Sequence, residues 1–159
     1  MLRVSRLTDY GVVLMAWLAG EPGRANRTSR EAAARTGLPV TTVSKLLKLL
    51  AREGLLVSHR GVGGGFGLAR PPASISVAAV IRALEGPIAL TACQTPVPGR
   101  CRFESSCLVR GSWRGINRTV IGALEALSLE DLARPWRRRQ PAPVAATATA
   151  TTTDEVKPT

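Results

Sequence analysis

Residues 28–68, TSREAAARTGLPVTTVSKLLKLLAREGLLVSHRGVGGGFGL, contain the pattern that decides the fold. Thr28 is a favourable N-cap residue, and Glu31 follows it at the spacing of a capping box. A short helix over residues 30–36 is therefore predicted. Gly37 tolerates the left-handed backbone conformation that commonly ends a helix, so the chain is expected to turn there.

A second helix is predicted after this turn, because Pro39 prevents simple continuation of the first one. Its apolar residues recur at helical spacing: Val43, Leu46, Leu47, Leu49 and Leu50. A helix held in this way can enter the major groove of DNA with its polar N-terminal residues against base edges. The candidate DNA contacts on its opposite face are Thr41, Thr42, Ser44, Lys45 and Lys48.

The pattern changes after Gly54, where residues 55–60 lead into the glycine-rich run 61–67. This run predicts a two-stranded hairpin, or wing, with a permissive tip. Arg60 at its edge is a candidate contact for a phosphate or the minor groove. A flexible linker and a phosphate cradle for a nucleotide are the alternatives, but no Gly-Lys-Ser/Thr follows, so the Walker pattern fails.

The charge distribution favours a polyanionic partner. The 159 residues carry 22 basic and 11 acidic side chains, a formal net charge of +11. Residues 1–60 hold ten basic and four acidic side chains, so they supply six of these eleven charges. A basic segment that also contains a helix-turn-helix pattern predicts binding to double-stranded DNA, with an affinity that falls as salt rises.

Other classes of protein receive little support from the sequence. No apolar run approaches the roughly 20 residues needed to cross a membrane. The apolar run 11–20 superficially resembles a short signal peptide, but Asp9 interrupts the approach to it, and we interpret it as the first helix of the fold. A cytoplasmic protein with reduced or liganded cysteines is expected. The single histidine, His59, leaves no Ser-His-Asp set, so an enzyme is not expected.

The chain divides into four segments, and the fold class is mainly α with a small β-hairpin wing. Residues 1–86 are predicted to form a winged helix-turn-helix domain, followed by a cysteine loop over 87–111. A dimerisation helix and its end are predicted over 112–134, because its apolar stripe exceeds what a small domain can cover. Packing back onto its own domain is the alternative. Residues 135–159, basic and then rich in Ala, Thr and Pro, are predicted to be disordered.

The loop contains all three cysteines, Cys93, Cys101 and Cys107, separated by seven and five residues. Its flanking residues are not typical of a core, so buried structural cysteines are disfavoured. Zinc is a possible ligand, although zinc sites favour paired ligands two to four residues apart, whereas an iron-sulfur cluster tolerates wider loops. Three thiolates leave one coordination position open, for which His59 and Asp9 are the candidates.

The chain resembles the iron-sulfur-responsive winged-helix regulators, a family that includes IscR and NsrR. The resemblance rests on the SRLTDYGVVLMAWLA helix, the EAAARTGLPVTTVSKLLKLLAREGLL helix-turn-helix, the RGVGGGFGLAR wing and the three-cysteine loop. It covers residues 1 to about 134 and is nearest to the SUF-system cluster-assembly regulators of proteobacteria. It implies a homodimer that carries a [2Fe-2S] or [4Fe-4S] cluster and controls transcription of cluster-assembly or stress genes. Within that range we expect a repressor of cluster-assembly genes with a [2Fe-2S] cluster.

The resemblance also implies roles for individual residues. The three cysteines match the cluster thiolates, and Asp9 matches the acidic residue that completes an NsrR-type cluster from the partner subunit. Water or a small thiol is the alternative fourth ligand. Thr41, Ser44 and Lys45 fall on recognition-helix positions, and Arg60 matches the wing arginine. Arg110 stands where IscR-type members have a histidine ligand, so that fourth ligand is absent. The alternative is a zinc-stabilised or thiol-redox winged-helix regulator without a cluster.

Overall fold

The computed structural model describes residues 4–21 and 26–138, which form six α-helices and one antiparallel pair of strands. The helices are α1 Arg6–Gly20, α2 Ser29–Thr36, α3 Val40–Arg52, α4 Val77–Glu85, α5 Arg110–Ala126 and α6 Leu129–Arg138. The strands are β1 Leu56–His59 and β2 Gly65–Leu68, and short 3₁₀ turns occupy Pro72–Ser74 and Ala92–Gln94. This arrangement confirms the predicted fold class.

Side-chain caps start four of the helices; at α6 the Ser128 hydroxyl accepts from the Asp131 N–H at 3.2 Å. Ser5, Thr28 and Ser76 each accept a hydrogen bond from the backbone N–H three residues later, which satisfies an amide that has no partner within the helix. The predicted cap at Thr28 is thus confirmed. The Thr28 hydroxyl accepts the capping bond from the Glu31 N–H. The Glu31 carboxylate pairs with Arg27. Gly37, at φ 73°, ends α2 as predicted.

The core forms around α1, which packs against α4 and α6, and around the buried face of α3. Four of the five predicted apolar residues of α3, Val43, Leu46, Leu47 and Leu50, are buried, and Leu49 is half-buried at the edge of this face. The largest side chains that are fully buried include Trp17, Leu14, Met15, Leu46, Leu47, Leu50, Ile75 and Leu129. Because these residues come from helices at both ends of the described chain, the helix-turn-helix is supported by more than its own sequence.

The wing is a hairpin in which Leu56 pairs with Leu68 and His59 with Gly65. The free edge of β2 is also paired, because Arg27 and Phe66 exchange two backbone hydrogen bonds of 2.9 and 2.8 Å. The segment that enters α2 therefore acts as a short third strand. It fixes the hairpin against the helix-turn-helix.

Helix α6 extends beyond the point at which the sequence predicts disorder. It continues through Pro135 to Arg138, and its Leu129 and Ala133 are fully buried. A proline inside a helix removes a hydrogen bond and costs about 3 kcal/mol. Extensive packing of α6 on α1 offsets this cost. The remainder of the predicted tail, residues 139–159, lies outside the described residues.

Helix α5 has one buried residue, Asn117, and begins two residues before the predicted start at position 112. Its contacts within the chain are made mainly with α4 and the 3₁₀ turn of the cysteine loop. Trp113 and Ile116 are 37% and 47% exposed, as expected for a helix that is only partly covered by its own domain. Among the described residues, none of the helices has the length and apolar character needed to cross a membrane.

Candidate functional site

The polar face of α3 is directed away from the core. Thr41, Lys45 and Lys48 are exposed, and Thr42 and Ser44 are half-buried. Positions three and four apart lie on the same side of a helix, so Thr41, Lys45 and Lys48 form one stripe. The structure thus places Thr41, Lys45 and Lys48 on the face opposite the core, and Thr42 and Ser44 at the flanks of that face.

The basic side chains of α3 and of the wing are available to an external partner. Over residues 4–21 and 26–138, no ion pair involves Lys45, Lys48 or Arg60. Arg52, one turn beyond Lys48, is by contrast paired with Glu53. Uncompensated lysine and arginine side chains on one face gain most from phosphate contacts, because binding releases the counterions of the DNA.

The glycine run forms the turn of the wing. Gly61 and Gly63 have φ of 97° and 81°, a backbone region that other residues rarely adopt, and the Gly64 N–H donates to the Gly61 carbonyl over 2.9 Å. Arg60 is exposed at the start of this turn, and Val62 is fully exposed at its tip. The wing therefore presents a cation and a small apolar side chain to solvent.

Arg27 is a structural residue of this site that sequence reasoning missed. Its guanidinium is buried, pairs with Glu31 at 2.7 Å and Glu21 at 3.3 Å, and lies 5.9 Å from the centre of the Trp17 ring. Its backbone meanwhile pairs with Phe66 in the wing. One residue therefore joins α1, α2 and β2. The spacing of four residues between Arg27 and Glu31 was the available signal.

The Glu21 carboxylate forms ion pairs with both Arg27 and Arg35 at this junction. Burial raises the pKa of Glu21, but the hydrogen bond and charge of Arg35, the charge of Arg27 and the Trp17 indole N–H outweigh it and hold that pKa below its ordinary value. The Arg35–Glu21 contact is 2.8 Å. The carboxylate is thus ionised at neutral pH and ties α2 to the end of α1.

The cysteine loop connects α4 to α5. Cys93, Cys101 and Cys107 are free thiols, each half-buried. Within the part of the chain that the structure describes, no group of three or more His, Cys, Asp or Glu side chains is arranged to hold a metal ion. The structure therefore does not bring the predicted ligands together in a single chain. The candidate fourth ligands are exposed on other elements, Asp9 on α1 and His59 on β1.

Cys93 has the most polar surroundings described for the three thiols. Its Sγ lies 3.2 Å from the Thr91 hydroxyl and accepts a hydrogen bond from the Gln94 amide at 3.6 Å. These two contacts lower the pKa of Cys93, and the positive charge of Arg110 contributes a smaller part. A lowered pKa increases the thiolate fraction, which is the form that binds metals and reacts with oxidants.

An ion pair closes the second half of the loop. Arg110 donates to a Glu104 carboxylate oxygen at 2.8 Å and to its backbone carbonyl at 3.3 Å. The other carboxylate oxygen accepts from the Gly99 N–H at 3.2 Å. Arg110, which resemblance places at an IscR-type ligand position, therefore folds the segment around Cys101 instead.

The first half of the loop is held by Asn117, a second residue that sequence reasoning missed. Its side chain is buried and hydrogen-bonds the backbone of Ile88 and Leu90. The signal was a polar residue next to the predicted apolar stripe of α5. Neither partner could be identified from the sequence, because both lie almost thirty residues away.

The donor chemistry of the loop fits an iron-sulfur cluster. Three thiols within fifteen residues, one of them with a lowered pKa, supply the ligand type that such clusters require. Ligands of a metal site are commonly gathered only when the metal binds. The loop must therefore rearrange, or meet residues of a second chain, before its thiols could share one inorganic core.

A helix-turn-helix with an exposed basic face, followed by a hairpin wing, defines a winged-helix DNA-binding protein. A family model described as "Rrf2: Iron-dependent Transcriptional regulator" matches residues 4–135. The chain therefore belongs to the Rrf2 family of transcriptional regulators. The family is one of regulators, in agreement with the expectation that the protein is not an enzyme.

Named relatives and solved structures agree with this assignment. IscR of Photorhabdus laumondii is 30% identical over 133 residues, which are 82% of this chain and 79% of the relative. The structure of T. potens IscR has a TM-score of 0.67 at 29% identity and covers 89% of this chain and 93% of that one. The structure of CymR of B. subtilis, described as the global cysteine regulator, has a TM-score of 0.67 at 30% identity. The match covers 85% of this chain and 98% of that one.

Proposed function

We propose that this protein is a cytoplasmic, homodimeric repressor that adjusts transcription of SUF-type cluster-assembly genes to the supply of iron-sulfur clusters. The observation that carries the proposal is the position of the three thiols in one loop between the winged domain and α5. A group bound there would lie in the segment that connects the winged domain to the helix proposed to dimerise.

The proposed ligands are Cys93, Cys101 and Cys107, with Asp9 of the partner subunit in the fourth position. A [2Fe-2S] cluster is favoured over a [4Fe-4S] cluster. When bound, such a cluster supplies a labile crosslink between thiolates that is sensitive to oxidants and to iron supply. The lowered pKa of Cys93 supports its role, because a thiolate forms there more readily than at an ordinary cysteine.

The dimer is proposed to form through α5. Apolar side chains along this helix and at its ends are exposed in the single chain, and their burial against a second copy would favour association: Leu108, Val109, Trp113, Ile116 and Leu127. A two-fold axis through α5 would set two copies of α3 against half-sites about one DNA turn, roughly 34 Å, apart.

The chain's own contacts suggest how ligand binding could change DNA affinity. The loop is tied to α5 by Asn117 and folded by the Glu104–Arg110 pair, so gathering the thiols would change the seating of α5 on the winged domain. A ligand shifts this equilibrium only if it favours one arrangement. Holo and apo protein should therefore differ in operator affinity.

The first test is the visible absorption spectrum, with iron and acid-labile sulfide content, of protein purified without oxygen. We expect coloured wild-type protein and a bleached Cys93→Ala variant, while Ser106→Ala, an exposed neighbour of Cys107, keeps its colour. Operator affinity of the holo and apo forms is then compared. Equal affinities would exclude sensing through the cluster.

A thiol-redox or zinc-stabilised regulator is the second candidate. The separated, half-buried thiols favour it, because they are open to modification without any bound group. Protein that is colourless, retains zinc, or loses operator affinity on mild oxidation and recovers it on reduction would support this candidate. Such a result would leave the DNA-binding assignment unchanged.

A further inference from the structure

Asn117 occupies the one buried position of α5, where an apolar residue would be usual. The residue is 8% exposed. A buried side-chain amide is destabilising unless its donor and acceptor are both satisfied. Its presence therefore calls for specific partners, and the structure supplies two.

Both partners are backbone groups of the segment that leads from α4 to the cysteines. The Leu90 N–H donates to Asn117 Oδ1 at 3.0 Å, and Asn117 Nδ2 donates to the Ile88 carbonyl at 3.4 Å. This orientation of the amide follows from chemistry, because a backbone N–H can only donate and a carbonyl can only accept. The two bonds hold the segment at two points.

The held segment ends three residues before Cys93. The 3₁₀ turn Ala92–Gln94, which carries this thiol, itself packs against α5. Thr91 lies between the held segment and the turn, and its hydroxyl contacts the Cys93 sulfur. A movement of the thiol is therefore transmitted through a few residues of backbone to Asn117 and then to α5.

We propose that Asn117 is a positioning residue that couples the position of the Cys93 thiol to α5, and through α5 to the spacing of the two recognition helices. The coupling part of this inference rests on the proposed function. Asn117 contacts no ligand itself. Its two hydrogen bonds make the loop and α5 move as one unit, and without them the thiols can rearrange while α5 stays in place.

The test compares Asn117→Ala and Asn117→Leu with the neighbouring control Thr119→Ala. Both Asn117 variants lose the two loop bonds, while leucine keeps a branched side chain that fills the site and favours the helix at least as well as asparagine. The Thr119 side chain hydrogen-bonds the Gly115 carbonyl within α5, so its removal leaves the loop untouched. Cooperative thermal unfolding of each variant establishes that it is folded.

The first readout is the ratio of operator dissociation constants between apo and holo protein. Couplings between sites are typically about 5- to 150-fold, and we expect the ratio in both Asn117 variants to fall to within about twofold of unity. Iron content and apo affinity should stay at wild-type values, which a general loss of structure would not allow. A wild-type ratio in Asn117→Leu would overturn the coupling.

The second readout needs no cluster. In apoprotein with Cys101→Ser and Cys107→Ser, maleimide labels Cys93 alone, and we expect either Asn117 substitution to accelerate labelling at least about threefold because the bonds that restrict the segment are gone. Thr119→Ala should label at the parental rate. Unchanged labelling in both Asn117 variants would overturn the positioning role. Colourless wild-type protein would overturn the proposed function instead, and the labelling rates would still decide the role of Asn117.

Discussion

Arg27 supports DNA binding without facing the DNA. Its backbone continues the wing sheet, and its guanidinium links Glu21 at the end of α1 to Glu31 of α2. The wing and the helix-turn-helix are therefore joined through this one residue. A substitution of Arg27 is therefore expected to lower the free energy of unfolding first, and to change DNA affinity only as a consequence.

We predict that Arg27→Met lowers the free energy of unfolding by about 2–3 kcal/mol, because it leaves the mostly buried Glu21 with a single cationic partner. Urea denaturation measures this loss. Arg52→Met is the matched control: the Arg52–Glu53 pair is exposed, so its loss should cost less than about 1 kcal/mol. Similar losses for the two variants would contradict the role assigned to the Arg27 junction.

Substitutions at the DNA surface should separate affinity from sequence preference. Arg60→Ala removes a proposed phosphate contact, so we expect weaker binding to all sequences and a salt dependence shallower by about one unit of slope. Ser44→Ala should change the preferred operator bases. Fluorescence anisotropy over a salt series and an operator library gives both quantities. An equal loss on every sequence for both variants would refute this division.

Among the secondary-structure elements, those with local signals could be predicted from the sequence. Thr28 and Gly37 delimit α2 through bonds and dihedrals within a few residues, and the glycine run alone is enough to predict the hairpin. The end of α6 could not be predicted, since Pro135 is a local stop signal that packing on α1 overrides. The cysteines were recognisable as a set, but their arrangement depends on what the loop binds.

The edge pairing of the wing predicts a difference between two glycines. Gly65 has φ 155°, and a Cβ there would lie 2.6 Å from the Arg27 carbonyl oxygen. Gly65→Ala should therefore separate Arg27 from β2 and weaken operator binding about tenfold or more, equivalent to the roughly 1.4 kcal/mol or more expected when backbone must shift. Gly63→Ala, strained in φ but with open space around it, should lose less. The reverse order would show that the edge pairing does not orient the wing.

For the molecule as a whole, carboxylates join helices that are distant in sequence. Glu85 of α4 accepts from the Ser5 N–H before α1, and a hydrogen bond from Thr8 is the main cause of its lowered pKa. Asp131, by contrast, acts within α6: its pKa is lowered mainly by the hydroxyl of Ser128, three residues before it. Together with Glu21, these groups stabilise the fold only while they are ionised.

We predict loss of stability in acid from these three groups. Each has a folded pKa below its ordinary value of 4.5 for glutamate or 3.8 for aspartate. Their contribution is therefore complete above those values and is lost as pH falls through the folded pKa. The urea concentration at the midpoint of unfolding should be constant near neutral pH and decrease in acid. This decrease with falling pH should be less steep in Glu85→Gln than in wild type. Identical slopes in wild type and Glu85→Gln would exclude the Glu85 contribution.

The packing of α6 on α1 also has a consequence for the order in which the protein is made. Arg137 reaches the Ala19 carbonyl across 118 residues, and Leu129 completes the core around Trp17. When the helix-turn-helix and the wing have emerged from the ribosome during synthesis, the helix that covers one side of α1 has not yet emerged. Until α6 emerges, that apolar surface stays open to chaperones. The fold of α1 is therefore completed only when the last described helix has been made.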